Sequence, residues 1–317
     1  MTASAGMPGS GGRRGGAAGV SVIINPAAGK GRGAKREAEL RAAFAAVGVT
    51  DVRATAAQGD EQVLARRAID DGARTIVAVG GDGTWSNVAN AIIASGADVR
   101  LALGAAGTGN DFVKSVGAPA SDYAATARLA VDGPDTRVDV GCVEGKYFLN
   151  VAGFGFDIAV IEQAAGIKWL KGDLVYLYAA LRQLFGYRGI DVQLASPSGA
   201  RSRSVQLMLI IANGKNFGGA FRIAPGASLT DGQLDAVAIE TVAPLARIPL
   251  FAATTRGTHV QRHNVRTEQA SSFTLTFPSP PAYERDGEYN RAASAVLEIR
   301  CVPRALRVVT PESGIPA

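Results

Sequence analysis

Val77-Ala-Val-Gly80-Gly81-Asp82-Gly83-Thr84-Trp85-Ser86-Asn87 joins a short apolar run to a helical one. The run from Thr75 to Val79 is rich in β-branched residues and ends at a turn, which predicts a buried strand of a parallel sheet. Gly80, Gly81 and Gly83 let the backbone turn tightly and approach a ligand where a Cβ would clash. From Thr84 onward, Trp85, Val88, Ala89, Ile92 and Ile93 recur at helical spacing. A strand, a glycine-rich turn and a helix N-terminus present free N–H groups and a positive dipole end to phosphate. Asp82 is foreign to a bare phosphate cradle, because a carboxylate beside phosphates needs a cation or a proton between them. It points to a nucleotide that carries a metal. Taken alone, the stretch also fits an ordinary strand-to-helix turn, where glycine is common.

The flanking sequence repeats the pattern. Upstream, Val20-Ser-Val-Ile-Ile24 predicts a first strand, and Asn25-Pro-Ala-Ala-Gly29-Lys30-Gly31-Arg32-Gly33 is a basic glycine-rich loop before a helix from Lys35. This is no Walker A loop, since Lys30 is followed by Gly31, and alone it reads equally as an exposed turn. Val52 to Thr55 predicts a short strand and Glu61 to Asp71 a helix. Downstream, Leu101-Ala-Leu103 runs into Gly104-Ala-Ala-Gly107-Thr108-Gly109-Asn110-Asp111-Phe112, a third glycine-rich turn after a strand. Repeated β-α units with such turns predict a doubly wound α/β domain over 20–140, its ligand across the strand ends.

Beyond Val138-Asp139-Val140 the pattern changes. Short alternating runs separated by Pro197-Ser-Gly199, Asn213-Gly214, Gly218-Gly219 and Asp231-Gly232 predict an antiparallel β-sandwich over 141–303. One helix, near 172–185, interrupts it. Residues 304–317 form a tail, with 305–309 as a strand that returns to the first domain, and 1–19 a flexible Gly/Ala/Ser-rich leader without a signal-peptide core.

Composition narrows the classes. A hydrophobic content of 47% with 19% charged residues describes a globular chain, and 317 residues exceed the usual single domain. Two cysteines, Cys142 and Cys301, argue against a disulfide framework. No apolar run is long enough to span a bilayer. The net charge of +5, without a basic stripe interleaved with aromatics, gives no support to nucleic-acid binding. His259 and His263 stand at i, i+4 but lack a neighbouring Glu and a third ligand, so packing or surface roles are expected. Lys168-Trp-Leu-Lys171 and the aromatic helix after it fit either core packing or contact with a bilayer.

Taken in order, Asn25-Pro-x-x-Gly29, Gly80-Gly-Asp-Gly-Thr84, Gly107-Thr-Gly-Asn-Asp-Phe112, Asn150-Val-Ala-Gly-Phe-Gly-Phe-Asp157, Asn213-Gly214 with Gly218-Gly219, Asp231-Gly-Gln-Leu-Asp235 and Asp286-Gly-Glu288 resemble the diacylglycerol kinase catalytic-domain family, in its bacterial soluble lipid kinase branch. The resemblance spans about 20–310 and extends more distantly to NAD kinases. It implies ATP in a cleft between the α/β domain and a β-sandwich that receives the lipid. Gly80, Gly81, Asp82, Gly83, Thr84, Trp85 and Ser86 would wrap the phosphates. Thr55, Thr108 and Asn110 would serve the nucleotide, with Asn25 and Lys30 nearby. Asp82, Asp111 and Asp139 would resemble the acidic network that holds catalytic Mg²⁺ through water. The Asp231 carboxylate with carbonyls near Ser228 and Gln233 would resemble a structural Mg²⁺ site. The general base would lie in Asp286-Gly287-Glu288, with Asp286 and Glu288 both eligible, although Asp-Gly alone is also a favoured hairpin turn. Ala105 departs from the proline that relatives usually carry.

The expected activity is therefore ATP-dependent phosphorylation of a lipid or lipid-like alcohol, with transient contact to a membrane surface and a cytoplasmic location. A homodimer is one expected assembly. The alternatives are an NAD kinase-like enzyme, which shares the Gly-Gly-Asp-Gly loop, and a catalytically silent lipid-binding regulator.

Overall fold

The computed structural model describes residues 16–29, 31, 36–57, 59–120, 122–167 and 173–316. Lys30, the Lys168–Lys171 segment and most of the leader lie outside them.

The first unit alternates strands and helices: β1 (Val20–Ile24), α1 (Glu37–Ala45), β2 (Asp51–Ala54), α2 (Asp60–Asp70), β3 (Thr75–Gly80), α3 (Asp82–Ser95), β4 (Arg100–Ala105), α4 (Asp111–Val116) and α5 (Tyr123–Asp132). The four strands are parallel, in the order β4-β3-β1-β2. Successive residues of β3 serve opposite faces, as the pleat requires. Ile76 and Ala78 pack with Trp85, Val88 and Ile92 of α3, whereas Val77 and Val79 pack with Leu40 and Phe44 of α1 and Ala127 of α5. Both faces are covered, which is why these strands read as continuous apolar runs.

The second unit holds β5 (Asp135–Val143), β6 (Lys146–Phe148), β7 (Val151–Gly155), α6 (Phe156–Ala165), α7 (Asp173–Gly186), β8 (Ile190–Ala195), β9 (Arg201–Ala212), β10 (Leu234–Glu240), α8 (Pro244–Arg256), β11 (Val265–Ala270), β12 (Ser272–Thr276), β13 (Ala282–Arg285), β14 (Glu288–Arg291) and β15 (Val296–Val309). Its strands pair antiparallel around a core that includes Phe148, Phe154, Leu209, Phe273, Leu275 and Ile299. A further cluster packs Phe156 of α6 and Leu250 of α8 over β9 and β10. No helix among the described residues is long and apolar enough to cross a membrane.

The boundaries expected at 140 and 303 both fall inside strands. β5 continues through Val143, and β15 is one strand that pairs antiparallel with β12 and β5 and then parallel with β4. A register shift between Val302 and Leu306, with Arg304 at φ 53°, bends β15 from one unit into the other. The two units thus share one hydrogen-bonded sheet. Helices α6 and α8, unlike α7, have no counterpart in the expected run of strands.

Candidate functional site

The C-terminal ends of the first unit's parallel strands open on a cavity of about 650 Å³, within the usual range for a small-molecule site. Asn25, Thr55, Glu61, Gly81, Gly83, Thr84, Thr108 and Glu288 are among its walls. The N-terminus of α3 faces it, and Gly81, the residue before the helix, has no side-chain cap. The first N–H groups of a 14-residue helix and its positive end therefore point at the cavity.

Two glycine-rich turns cross here. The N–H groups of Ala106 and Gly107 both donate to the Gly80 carbonyl, at 2.8 and 2.9 Å. A Cβ on Gly107 would lie 2.5 Å from the Gly81 Cα, so only glycine permits this approach. Ala105 ends β4 opposite Gly80, and its carbonyl accepts from the Tyr123 hydroxyl at 3.3 Å. The turn is thus held without proline. Asn110, at φ 52°, donates to the Gly107 carbonyl and braces the loop, and it is not among the cavity walls.

Asn25 donates to Glu61 Oε1 at 3.0 Å and Thr84 Oγ1 at 3.1 Å, tying three segments of the cavity together. Trp85 and Ser86 require correction as nucleotide contacts. The first turn of α3 carries both inward: Trp85 is fully buried and donates to the Ala78 carbonyl, and Ser86 is buried beneath the helix.

Asp82 Oδ1 accepts from the N–H groups of Asp111 and Phe112 at 2.9 and 3.2 Å, joining α3 to α4. Its other oxygen faces Asp111: a Cβ on Gly109 would lie 3.1 Å from Asp82 Oδ2 and 3.4 Å from Asp111 Oδ2. Burial, then the charge of Asp111, pushes the Asp82 carboxyl up to about 6. Two neighbouring carboxylates suit Mg²⁺, which prefers hard oxygen ligands and is commonly held through one or two carboxylates plus substrate phosphates. Asp111 also accepts from Lys114 Nζ at 3.0 Å and Gly219 N at 2.9 Å, so it links the two units.

Asp139 does not join this pair. It is fully buried, and its oxygens accept from Gly232 N at 2.6 Å and Arg304 N at 2.7 Å. It fastens the Asp231 loop to the bend of β15, a structural duty that engages both oxygens. Among the described residues no group of three or more His, Cys, Asp or Glu side chains is placed to hold a metal. In the Asp231 loop, the carboxylate accepts from Gln233 N at 3.0 Å and Gln269 Nε2 at 2.8 Å, and Ser228 Oγ accepts from Thr230 N. Burial and the Asp231 charge push Asp235 up to about 6.

The structure separates Asp286 from Glu288. Asp286 sits in a turn at φ 48°, with its carboxylate buried. Oδ2 accepts from Leu149 N at 2.7 Å, and Oδ1 from Asn150 N at 2.9 Å and Val151 N at 3.1 Å. Burial raises its pKa, and the three N–H donors oppose that rise. Glu288 lines the cavity and accepts from Asn87 Nδ2 at 3.0 Å, while Gln62 Nε2 donates to Asn87 Oδ1 at 2.9 Å. Deeper lie Glu284 and Asp157, which converge on Gly153. A Cβ there would meet Asp157 Oδ2 at 2.6 Å and Glu284 Oε1 at 3.0 Å. Among the described residues those oxygens have no hydrogen-bond partner, and burial raises both carboxyls.

Sequence reasoning missed Glu61, Asn87, Lys114 and Glu284. Asn87 was visible inside the decisive stretch. The others were harder to see, because the contacts that bring them to the site include ones 36 or more residues away, such as Asn25 to Glu61 and Lys114 to Gly219. His259 is fully buried and bonded to the Ile223 carbonyl, whereas His263 is exposed, so the two form no metal pair.

Residues 19–143 match the diacylglycerol kinase catalytic domain, and 150–310 the YegS C-terminal NAD kinase beta sandwich-like domain. A diacylglycerol kinase of Mycobacterium tuberculosis is 29% identical over 302 residues, covering 93% of this chain and 96% of that protein. One from Bacillus subtilis is 27% identical over 272 residues, covering 84% and 89%. A crystal structure of a diacylglycerol kinase from Bacillus anthracis superposes with a TM-score of 0.71 at 20% identity, covering 93% of this chain and 98% of that one, and shares the fold.

Proposed function

The chain belongs to the diacylglycerol kinase catalytic-domain family, and from that premise we propose an ATP- and Mg²⁺-dependent kinase that phosphorylates a hydroxyl of a lipid such as diacylglycerol. The observation that carries this reading is the meeting of the α3 N-terminus, two crossed glycine turns and the Asp82–Asp111 pair at one cavity.

Phosphoryl transfer needs in-line positioning and neutralisation of charge more than covalent help. The N–H groups at the start of α3 would receive the phosphates. Asn25, Thr55 and Thr108 would line the remainder of the nucleotide. Asp82 and Asp111 would hold Mg²⁺, which when bound neutralises phosphate charge. The Asp231 loop would hold a second, structural cation.

Asp286 is the better base of its turn. Its Oδ2 has one N–H donor and keeps a lone pair, and the negative charge of Asp286 is felt at Asp82. Burial favours its taking a proton from an acceptor hydroxyl. Glu288, on the cavity wall with Asn87, would position the nucleotide. An enzyme that acts on bilayer lipid must touch the bilayer, so transient surface contact belongs to the same proposal.

The test is transfer of labelled γ-phosphate from ATP to diacylglycerol, a sphingoid base and phosphatidylglycerol in mixed micelles, with NAD as a further acceptor. A Mg²⁺-dependent phospholipid product is expected. Labelled NADP would contradict the lipid reading, and no product beside measurable ATP binding would favour a silent lipid-binding protein.

A further inference from the structure

Helices α7 and α8 lie side by side and expose large apolar side chains that no other described residue covers. Leu181 and Phe185 of α7 are 50% and 57% exposed, and Leu245 and Ile248 of α8 are 72% and 53% exposed. Elsewhere, exposed apolar side chains such as Val63 and Val296 stand singly, the normal condition of a protein surface. The two helices are locked together from beneath by Arg247, which is buried. Its guanidinium donates to the carbonyls of Gln183, Leu184 and Tyr187 at the end of α7, at 3.2, 2.6 and 2.8 Å. That end of a helix favours a cation. Arg247 thereby sets the start of α8, with exposed Leu245 and Ile248, beside the end of α7, with exposed Phe185.

Charge selects the occupant. Neither 174–190 nor 241–263 contains an Asp or Glu, whereas Arg182, Arg188, Arg256 and Arg262 are exposed there. Arg262 is held against α8 by its bond to the Pro249 carbonyl at 3.2 Å. Exposed apolar side chains on segments that also carry four exposed arginines fit an anionic lipid surface: the first enter the acyl boundary, the second meet headgroup phosphates. The surface also connects to the cavity. α6 packs on α7, carries Asp157 with its buried carboxylate oxygens in its first turn, and carries Glu162, which accepts from the Tyr289 hydroxyl at 2.8 Å, one residue beyond Glu288.

We propose that the outer face of α7 and α8 docks the protein on anionic bilayers and brings the acceptor side of the cavity to the membrane. This rests on the lipid kinase reading for its purpose, but its test is independent of turnover. Sedimentation with phosphatidylcholine vesicles, with and without phosphatidylglycerol, reads binding directly. The parent chain should bind the phosphatidylglycerol vesicles, and a Phe185→Ser/Leu245→Ser/Ile248→Ser variant should bind them at least about tenfold more weakly. An Arg182→Gln/Arg188→Gln/Arg256→Gln variant should lose about fivefold per arginine and its preference for phosphatidylglycerol. All the replaced side chains are exposed, so thermal unfolding should match the parent. Both variants should phosphorylate a monomeric short-chain diacylglycerol at the parent's rate and lose activity only on vesicles. Parent-like vesicle binding by the serine variant would overturn the proposal. So would a dimer of the parent, seen by sedimentation equilibrium, that the serine variant converts to monomer, since the face would then belong to a second copy. Vesicle binding without turnover of any acceptor would support docking while refuting the kinase.

Discussion

Asp82 and Asp286 are neighbouring carboxylates in opposite circumstances. Asp82 is buried beside Asp111, and burial and that neighbouring charge both disfavour its ionised form, so neutralising it relieves both. Asp82→Asn keeps the oxygen that accepts from Asp111 and Phe112 and removes the charge. It should raise stability at pH 7 by about 1–3 kcal/mol while abolishing transfer, as read by thermal unfolding and turnover. Asp286 is held by three N–H groups, one of which would confront an amide in Asp286→Asn. That variant should lose activity and also about 1–3 kcal/mol of stability. Glu288→Gln should instead raise KM for ATP and leave kcat nearly intact, because its carboxylate lines the nucleotide wall. A collapse of kcat in Glu288→Gln with active Asp286→Asn would reverse the assignment.

The crossing of the Gly81 and Gly107 turns is the element on which the cavity depends. Gly107→Ala forces a Cβ to within 2.5 Å of the Gly81 Cα, a backbone contact that no rotamer relieves. It should cost about 1–3 kcal/mol and weaken ATP binding at least tenfold, measured by calorimetric titration. These turns were legible in the sequence because strand, glycine turn and helix are local patterns, and their in-order recurrence carried the family resemblance. α8 was not legible. Pro249 lies inside it, and Leu245 and Ile248 make its outer side as apolar as the side that buries Leu250, so no helical period appears. α6 was hidden likewise, since its residues followed a strand without a polar break. Asp139 illustrates the limit for the site. Its spacing matches an acidic network, but its geometry is set by Gly232 and Arg304, 93 and 165 residues away, and no local pattern encodes that distance.

At the scale of the molecule, β15 joins both units into one sheet, while Asp111 with Gly219, and Asn87 with Glu288, close the cleft between them. Charge within that cleft should appear in overall stability. The Asp82 carboxyl holds its proton more tightly in the folded than in the unfolded chain. The resulting stabilisation is complete below the ordinary value of 3.8 and is lost as pH rises to about 6, as for Asp235. Without Mg²⁺, Tm should therefore fall between those limits. Adding Mg²⁺ at neutral pH should restore Tm through Asp82 in the parent chain, and do so less in Asp82→Asn.

The central claim is that this cleft transfers phosphate to lipid, and single-turnover transfer of labelled γ-phosphate from bound ATP to diacylglycerol tests it most directly. The parent, Asp82→Asn and Asp286→Asn would be compared at equal ATP occupancy. Labelled phosphatidic acid formed only with Mg²⁺ by the parent, and by neither variant, is the predicted result. Phosphatidic acid formed at the parent's rate by Asp286→Asn, or without Mg²⁺, would contradict it.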